Sequence, residues 1–397
     1  MPKERREPIA KMEPLLIAQG SKHRPELTDL ALDLAQKCAS FRRSLPPSLM
    51  ASLASLVRAM NCYYSNLIEG HDSHPIDIER ALNNDYSKDA RKRDLQIEAK
   101  AHMAVQAWID QGGLRANAQS VESIAMIHRR FCEQLPAQML WMKMPGKAQR
   151  LAITPGALRD RDVQVGRHIP ISAAAVPRFL QRFEQVYAQL GKTETILAAA
   201  ASHHRLLWIH PFLDGNGRVA RLMSHALLLQ TLETGAVWSI ARGLARNVDT
   251  YKAHLAACDQ TRRNDLDGRG NLSEESLVAF SRFFLTTCID QVTFMERLMQ
   301  ADKLHTRIAV WAEEEIRLGL LPAQSGRVLQ AILYRGELSR GDSSAVVATG
   351  ERQARRVVSA LVARGVLTSD GIRAPLRLVM PASLASRWLP GLFPDQT

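Results

Sequence analysis

The chain has no C-x-x-C pair, and its five cysteines (Cys38, Cys62, Cys132, Cys258, Cys288) are scattered and odd in number. That pattern excludes a disulfide framework and a cysteine-based zinc site, and it fits reduced thiols in a cytoplasmic setting. No apolar run reaches the roughly 18 residues a bilayer span needs, so no membrane partner is expected. The opening stretch, MPKERREPIAKMEP, lacks an apolar h-region, so no secretory signal is expected. Acidic residues are in deficit: 40 Asp and Glu stand against 52 Lys and Arg, a net charge of +12 over 397 residues. Such an excess favours polyanionic partners such as nucleic acid, nucleotides or an acidic protein surface, without choosing among them. The length allows two or three domains with a sizeable core.

Most of what is present reads as helix. Residues 1–26 are polar and are expected to form a mobile tail. LTDLALDLAQKCASF and SLMASLASLVRAMNCYYSNLIEG repeat apolar residues at three and four, the second stopping at Gly70 as a C-cap. Asp72 to Asp77 reads as a loop around Pro75, and RKRDLQIEAKAHMAVQAWIDQGG as a helix closed by Gly112 and Gly113. His71 and His74 have no cysteine partner nearby and belong to that polar loop. SVESIAMIHRRFCEQL, VPRFLQRFEQVYAQLG, ETILAAAASHHRLLWI and LMSHALLLQTLETG are further helices, followed by two more at about 249–262 and 273–299. PGALRDRDVQVGRHIPI is the best hairpin candidate, with Val163 and Val165 alternating with polar residues, Gly166 at the turn, then Ile169 and Ile171. NDLDGRGNLSEES looks like a calcium loop but has Arg269 where an oxygen ligand is needed and Ser276 where a Glu is needed, so it is read as a turn. From Gln324 onward a helix, a basic helix carrying Arg352, Arg355 and Arg356, and a strand pair follow in the order of a winged helix.

One stretch concentrates chemistry: HPFLDGNGRVAR, residues 210–221. His210 precedes a proline, which biases it out of the α region and ends the preceding helix. Gly215 and Gly217 permit positive φ and close backbone approach. A helix starting at about Asn216 would aim free N–H groups and its positive end at the same spot, a site for an anion. Arg218 and Arg221, at i and i+3, share one face of that helix. Asp214 at the edge suits Mg²⁺ alongside phosphate oxygens, and His210 has the pKa range of a general base. Phe212 reads as the anchor of the loop on the core. Each residue alone is more often structural, a turn glycine or a solvated arginine; the ordered set within one short stretch is what points to a di- or triphosphate.

HPFLDGNGRVAR resembles the signature of Fic-domain proteins, H-P-F-x-[D/E]-G-N-G-R-x-x-R, at every defining position. The likeness covers about 115–300: the segment at 156–171 stands where that family has its target-binding flap, and the helix with His203 and the NDLDGRGNLS segment also resemble it. The resemblance implies a protein adenylyltransferase that moves AMP from ATP, with Mg²⁺, onto a Ser, Thr or Tyr hydroxyl of a target protein. In its terms His210 deprotonates the hydroxyl, Asp214 holds Mg²⁺ on the α- and β-phosphates, and Gly215, Asn216 and Gly217 cradle the phosphates. Arg218 would meet the β-phosphate and Arg221 the γ-phosphate. Gly217 stands where the phosphorylating Doc-like branch has lysine, which favours nucleotidyl transfer. SNLIEG resembles the family's inhibitory motif through Ser65, Glu69 and Gly70, in the class whose inhibitory helix precedes the core. A carboxylate at a helix C-terminus is disfavoured by about 0.3–1 kcal/mol, which an arginine partner, Arg221, offsets.

The expected architecture is therefore all-α, a Fic helical core with a small β-hairpin flap and a C-terminal winged helix. Its expected parts are a tail at 1–26, a helical segment with the inhibitory helix at 27–112, the catalytic core at 113–300 and the winged-helix-like unit at 301–397. Family members often pair through the helical core, so a homodimer is among the expected partners. Competing expectations are a DNA-binding regulator with a secondary nucleotide site, a transferase using another donor (UMP, GMP or phosphocholine), and removal of AMP. Base selectivity would lie outside the motif, near Tyr251 and Asn264.

Overall fold

The computed structural model describes residues 5–71, 74–143, 150–371 and 373–394. Its N-terminal part is helical: α1 (Arg24–Arg43), α2 (Pro47–Ile68), α3 (Pro75–Leu82) and α4 (Ala90–Asp110). In α1 the three-and-four spacing becomes a buried stripe of Leu27, Ala31, Leu34, Cys38 and Phe41. At the end of α2, Gly70 has φ +81°, with Gly70 N–H on the Leu67 carbonyl and His71 N–H on that of Asn66. This is the double bond pattern of a glycine C-cap, and it turns Glu69 out at the helix end. The loop read at 72–77 is shorter than expected, because Pro75 opens α3 at a position where a missing N–H costs nothing; residues 72 and 73 lie outside the described residues.

Next come α5 (Val121–Glu133), the strands β1 (Trp141–Lys143) and β2 (Arg150–Ala152), α6 (Val176–Tyr187), α7 (Lys192–Leu197), α8 (Ala199–Ile209) and α9 (Asn216–Leu232). The small antiparallel hairpin is β1–β2, with Trp141 opposite Ala152 and Met142 opposite Leu151. The expected hairpin at 156–171 is a correction: that segment forms one bridge, Val165 to His168. Two carbonyls at its ends, of Arg161 and Ile171, accept from the Arg159 guanidinium, not from a strand ladder. The alanine-rich helix is also split, at Ala198, into α7 and α8.

α10 (Ile240–Arg246), α11 (Val248–Cys258) and α12 (Glu274–Leu298) complete the bundle. α12 is long and apolar enough by composition to cross a bilayer, but it packs against α1, α8, α10 and α11 as a core helix. The expected tail is a second correction. Glu7 accepts from Ser172 N–H and Oγ, Leu272 N–H donates to the Glu13 carbonyl, Arg205 donates to that of Pro14, and Tyr187 Oη donates to that of Leu15. Met12 and Leu15 are buried. Polar as it is, the segment is held by the partners its backbone finds on α6, α8 and the loop before α12.

The C-terminal part comprises α13 (Ala301–Arg317), α14 (Ser325–Arg335), β3 (Glu337–Leu338), α15 (Ser343–Val347), α16 (Glu351–Ala363), β4 (Leu367–Thr368), β5 (Leu376–Leu378) and α17 (Ala385–Trp388). Its three strands pair antiparallel in the order β3-β5-β4. This unit touches α2 directly: Ser48 Oγ donates to the Gly336 carbonyl at 2.7 Å, Tyr64 Oη to that of Leu392 at 3.0 Å, and Ser52 Oγ to that of Leu378.

Candidate active site

The site forms where α8 ends and α9 begins. His210 follows Ile209 as the C-cap of α8 and adopts a left-handed conformation, φ 51° and ψ 64°. For a residue other than glycine this costs about 1–3 kcal/mol, a strain that persists only where surrounding contacts over-determine it. Burial pushes the imidazole pKa down to about 4, so it is a free base at neutral pH.

The loop then closes on itself. Phe212 is fully buried and stacks on His128 with ring centroids 3.9 Å apart. Asn216 turns its amide back to Phe212, accepting from the backbone N–H at 3.0 Å and donating to the carbonyl at 2.9 Å. The Asn216 side chain thus locks the loop, leaving only its backbone to face a ligand. Gly215 is the left-handed N-cap of α9, φ 79°, a conformation glycine takes without the Cβ penalty. No backbone partner among the described residues takes the N–H groups of Asn216, Gly217 and Arg218, so the positive end of α9 is open. Asp214 is exposed beside it and accepts from Gly215 N–H at 2.7 Å.

Both arginines point to this end, and both are already held by acids. Arg221 Nε donates to Ser65 Oγ at 2.8 Å, and Nη2 reaches Glu69 Oε1 at 2.5 Å. Glu69 retains 37% of its side-chain exposure. Burial raises its pKa, and the Arg221 charge and hydrogen bond outweigh that and bring it below the usual value. Its carboxylate lies so close over Gly217 that a Cβ there would collide with it. Glu69 therefore sits where an anion at the α9 N-terminus would sit. Arg218 is bound by Glu98 of α4 and lies over the Phe131 ring at 5.2 Å.

Among the expected residues, the structure brings Ser65, Glu69, His210, Asp214, Gly215, Gly217, Arg218 and Arg221 to one place. Tyr251, a candidate base reader, is buried with its hydroxyl 2.6 Å from His203 Nε2, and Asn264 lines a separate cleft between residues 13–23 and 263–278. Sequence reasoning missed Glu98, His128 and Arg159. For Glu98 a signal exists: Glu98, His102, Gln106 and Asp110 repeat every four residues as a polar stripe on the inner face of α4.

Comparison with known proteins bears on the fold and on residues 120–228. Residues 120–228 match the Fic/DOC family. A curated relative, protein adenylyltransferase Fic of Drosophila erecta, is 25% identical over 197 residues, covering 48% of this chain and 37% of that protein. Its counterpart in Drosophila mojavensis is 39% identical over 80 residues, covering 20% of this chain and 16% of that one. The chain thus spans well under half the length of the curated relatives it matches. A Fic family protein from Desulfovibrio desulfuricans G20 superposes over 92% of this chain and 98% of its own, at a TM-score of 0.52 and 15% identity. Fic-1 (residues 134–508) from C. elegans does so over 70% and 76%, at a TM-score of 0.50 and 14% identity. The motif and the match agree on a Fic domain over residues 120–228, set in a chain whose fold is like that of solved Fic family proteins.

Proposed function

We propose that the chain is a protein adenylyltransferase that moves AMP from ATP to a Ser, Thr or Tyr hydroxyl of a target protein, held off by its own Glu69. In the reaction the hydroxyl oxygen bonds to the α-phosphorus, the bond to the bridging oxygen of the β-phosphate breaks, and pyrophosphate leaves. His210 takes the hydroxyl proton; phosphates bound beside it would raise its pKa toward neutrality. The free N–H groups of α9, with Arg218 and Arg221, bind the phosphates once the acids release them.

The described residues include no cluster of three acid, His or Cys ligands. A single exposed carboxylate beside an anion site does fit Mg²⁺, which keeps waters and phosphate oxygens as most of its ligands. Asp214 would hold it, and bound there it would neutralise charge on the phosphates.

The observation that carries autoinhibition is the Glu69 carboxylate on Arg221, over Gly217. The test is α-labelled ATP with Mg²⁺ on the full chain, its Glu69→Gly variant and its His210→Ala variant, read by gel autoradiography. Label on Glu69→Gly, little on wild type and none on His210→Ala is expected. No label on any of the three, with ATP bound, would point to another nucleotide donor. Release of AMP from a pre-labelled target would mark the reverse reaction.

A second reading concerns the C-terminal unit, which we take as a winged helix that binds duplex DNA. Arg352 and Arg356 are exposed on α16 with no carboxylate partner among the described residues, whereas Arg355 pairs with Glu351 at 2.9 Å. DNA affinity that falls steeply with salt supports this; absent or salt-independent binding removes it. Because the unit packs on α2, an occupant there has a direct route to Glu69. We place the chain in the cytoplasm, where the five buried cysteines, all free, would stay reduced.

A further inference from the structure

The strained backbone at His210 needs a cause. Pro211 has no N–H to give, and the last carbonyls of α8 have no helical partner. The answer comes from the loop before α6. Arg159 Nε donates to the His210 carbonyl at 2.7 Å, and Nη2 donates to that of Ile171 at 2.5 Å and reaches that of Ile209 at 3.4 Å. Nη1 donates to the Arg161 carbonyl at 2.9 Å, and the Arg159 N–H donates to that of Pro211 at 2.8 Å. Arg159, whose side chain has no exposed surface, therefore joins residues 209 and 210 through its guanidinium and Pro211 through its backbone N–H, and its guanidinium also holds both ends of the 161–171 loop.

We propose that Arg159 is a positioning residue for His210: its guanidinium sets the peptide that aims the imidazole and couples the 161–171 loop to it. The coupling rests on the proposed transfer reaction, while the geometry does not. A loop staple without this role would hold residues 161–171 and leave the base unaffected. Ile169 of this loop is 65% exposed and Val165 42%, so a polypeptide laid against the loop would act on the base through this one side chain.

The charged and titratable groups facing the imidazole are Arg159 and His168 from the segment before α6 and Asp214 from its own loop; beyond desolvation, which lowers its pKa, and a hydrogen bond with the Leu207 backbone, which raises it, Arg159 and His168 lower it and Asp214 raises it. Removing the Arg159 charge should therefore shift the His210 titration to higher pH, and Arg159→Lys, which keeps the charge, should not. A lysine offers a point charge in place of a planar fork, so it should restore the titration but only part of the rate.

The experiment combines Arg159→Met and Arg159→Lys with Glu69→Gly in the full chain. Initial rates of AMP labelling, ATP affinity by calorimetry and the His210 titration by NMR on labelled imidazoles are read on each. For Arg159→Met a kcat loss on the order of 100-fold is expected, the scale of a misplacement of about 1 Å, with ATP affinity within about twofold and a raised His210 pKa. An unchanged kcat, or ATP affinity falling in step with kcat, overturns the proposal. If Arg159→Met does not fold, Arg159→Lys decides: intermediate kcat with unchanged ATP affinity supports it, and full kcat overturns it. If Glu69→Gly itself carries no label, the transfer reading fails, and the His210 titration still tests Arg159 by itself.

Discussion

Two loops in this chain share the pattern Asp-Gly-x-Gly: Asp214–Gly217 and Asp267–Gly270. In the second, Asp267 is buried and spends both oxygens internally, on Ser273 Oγ at 3.0 Å, Glu275 N–H at 2.8 Å and Arg263 N–H at 3.2 Å. Arg262 Nη1 likewise donates to the Gly268 carbonyl at 2.7 Å. In the first, Asp214 is exposed, three backbone N–H groups have no backbone partner among the described residues, and two arginines converge on them. The same residue types make a self-satisfied turn in one place and an anion site in the other. What separates them is whether the polar groups are consumed within the loop or left for a ligand, and whether cations arrive from the next helix.

The contrast can be broken by substitution. In the Glu69→Gly background, Asp214→Ala should lower AMP labelling by about 10²–10³-fold, the scale of losing one electrostatic group at the reacting phosphates, while thermal unfolding hardly moves. Asp267→Ala should do the reverse. Its orphaned donors should cost about 1–3 kcal/mol of stability in denaturant titration, with labelling per folded molecule retained. If Asp267→Ala abolishes labelling without loss of stability, the two loops are not distinct in kind.

Acid should separate them too. His128, at the first loop, and His203, beside Tyr251, are buried and His210 is half-buried, with pKa values pushed down by desolvation to about 4, 3 and 4. Their folded values lie below the unfolded value near 6.5, so the unfolded chain takes up protons first. The stability they contribute is complete above about pH 6.5 and is lost as pH falls through the folded values. Amide protection at residues 210–221, relative to the intrinsic exchange rate at each pH, should therefore fall between pH 6.5 and 4 ahead of residues 263–271; simultaneous loss of protection would count against it. The smallest effect belongs to Arg269→Ala, an exposed side chain in the second loop. It should leave both labelling and stability within about 0.5 kcal/mol of the parent.

The sequence by itself determined the helices, because apolar spacing of three and four is a local property: the stripes of α1 and α2 and the C-cap at Gly70 follow from neighbours in the chain. It also determined the nest at the α9 N-terminus, since His210 through Arg221 form one continuous stretch. The tertiary structure decided the rest, and each case involves partners distant in sequence. Arg218 meets Glu98 across 120 positions, Arg221 meets Glu69 across 152, and Arg159 reaches the His210 carbonyl across 51. The Glu69 pairing was legible through resemblance to a known motif; for Glu98 the polar stripe of α4 marks an inward-facing acid but not its partner, and Arg159 had no signal. The polar tail became a packed strap and the strand-like alternation at 163–171 became a loop for the same reason. Backbone donors and acceptors take whichever partners the fold brings within reach, and local pattern carries no information about which those will be.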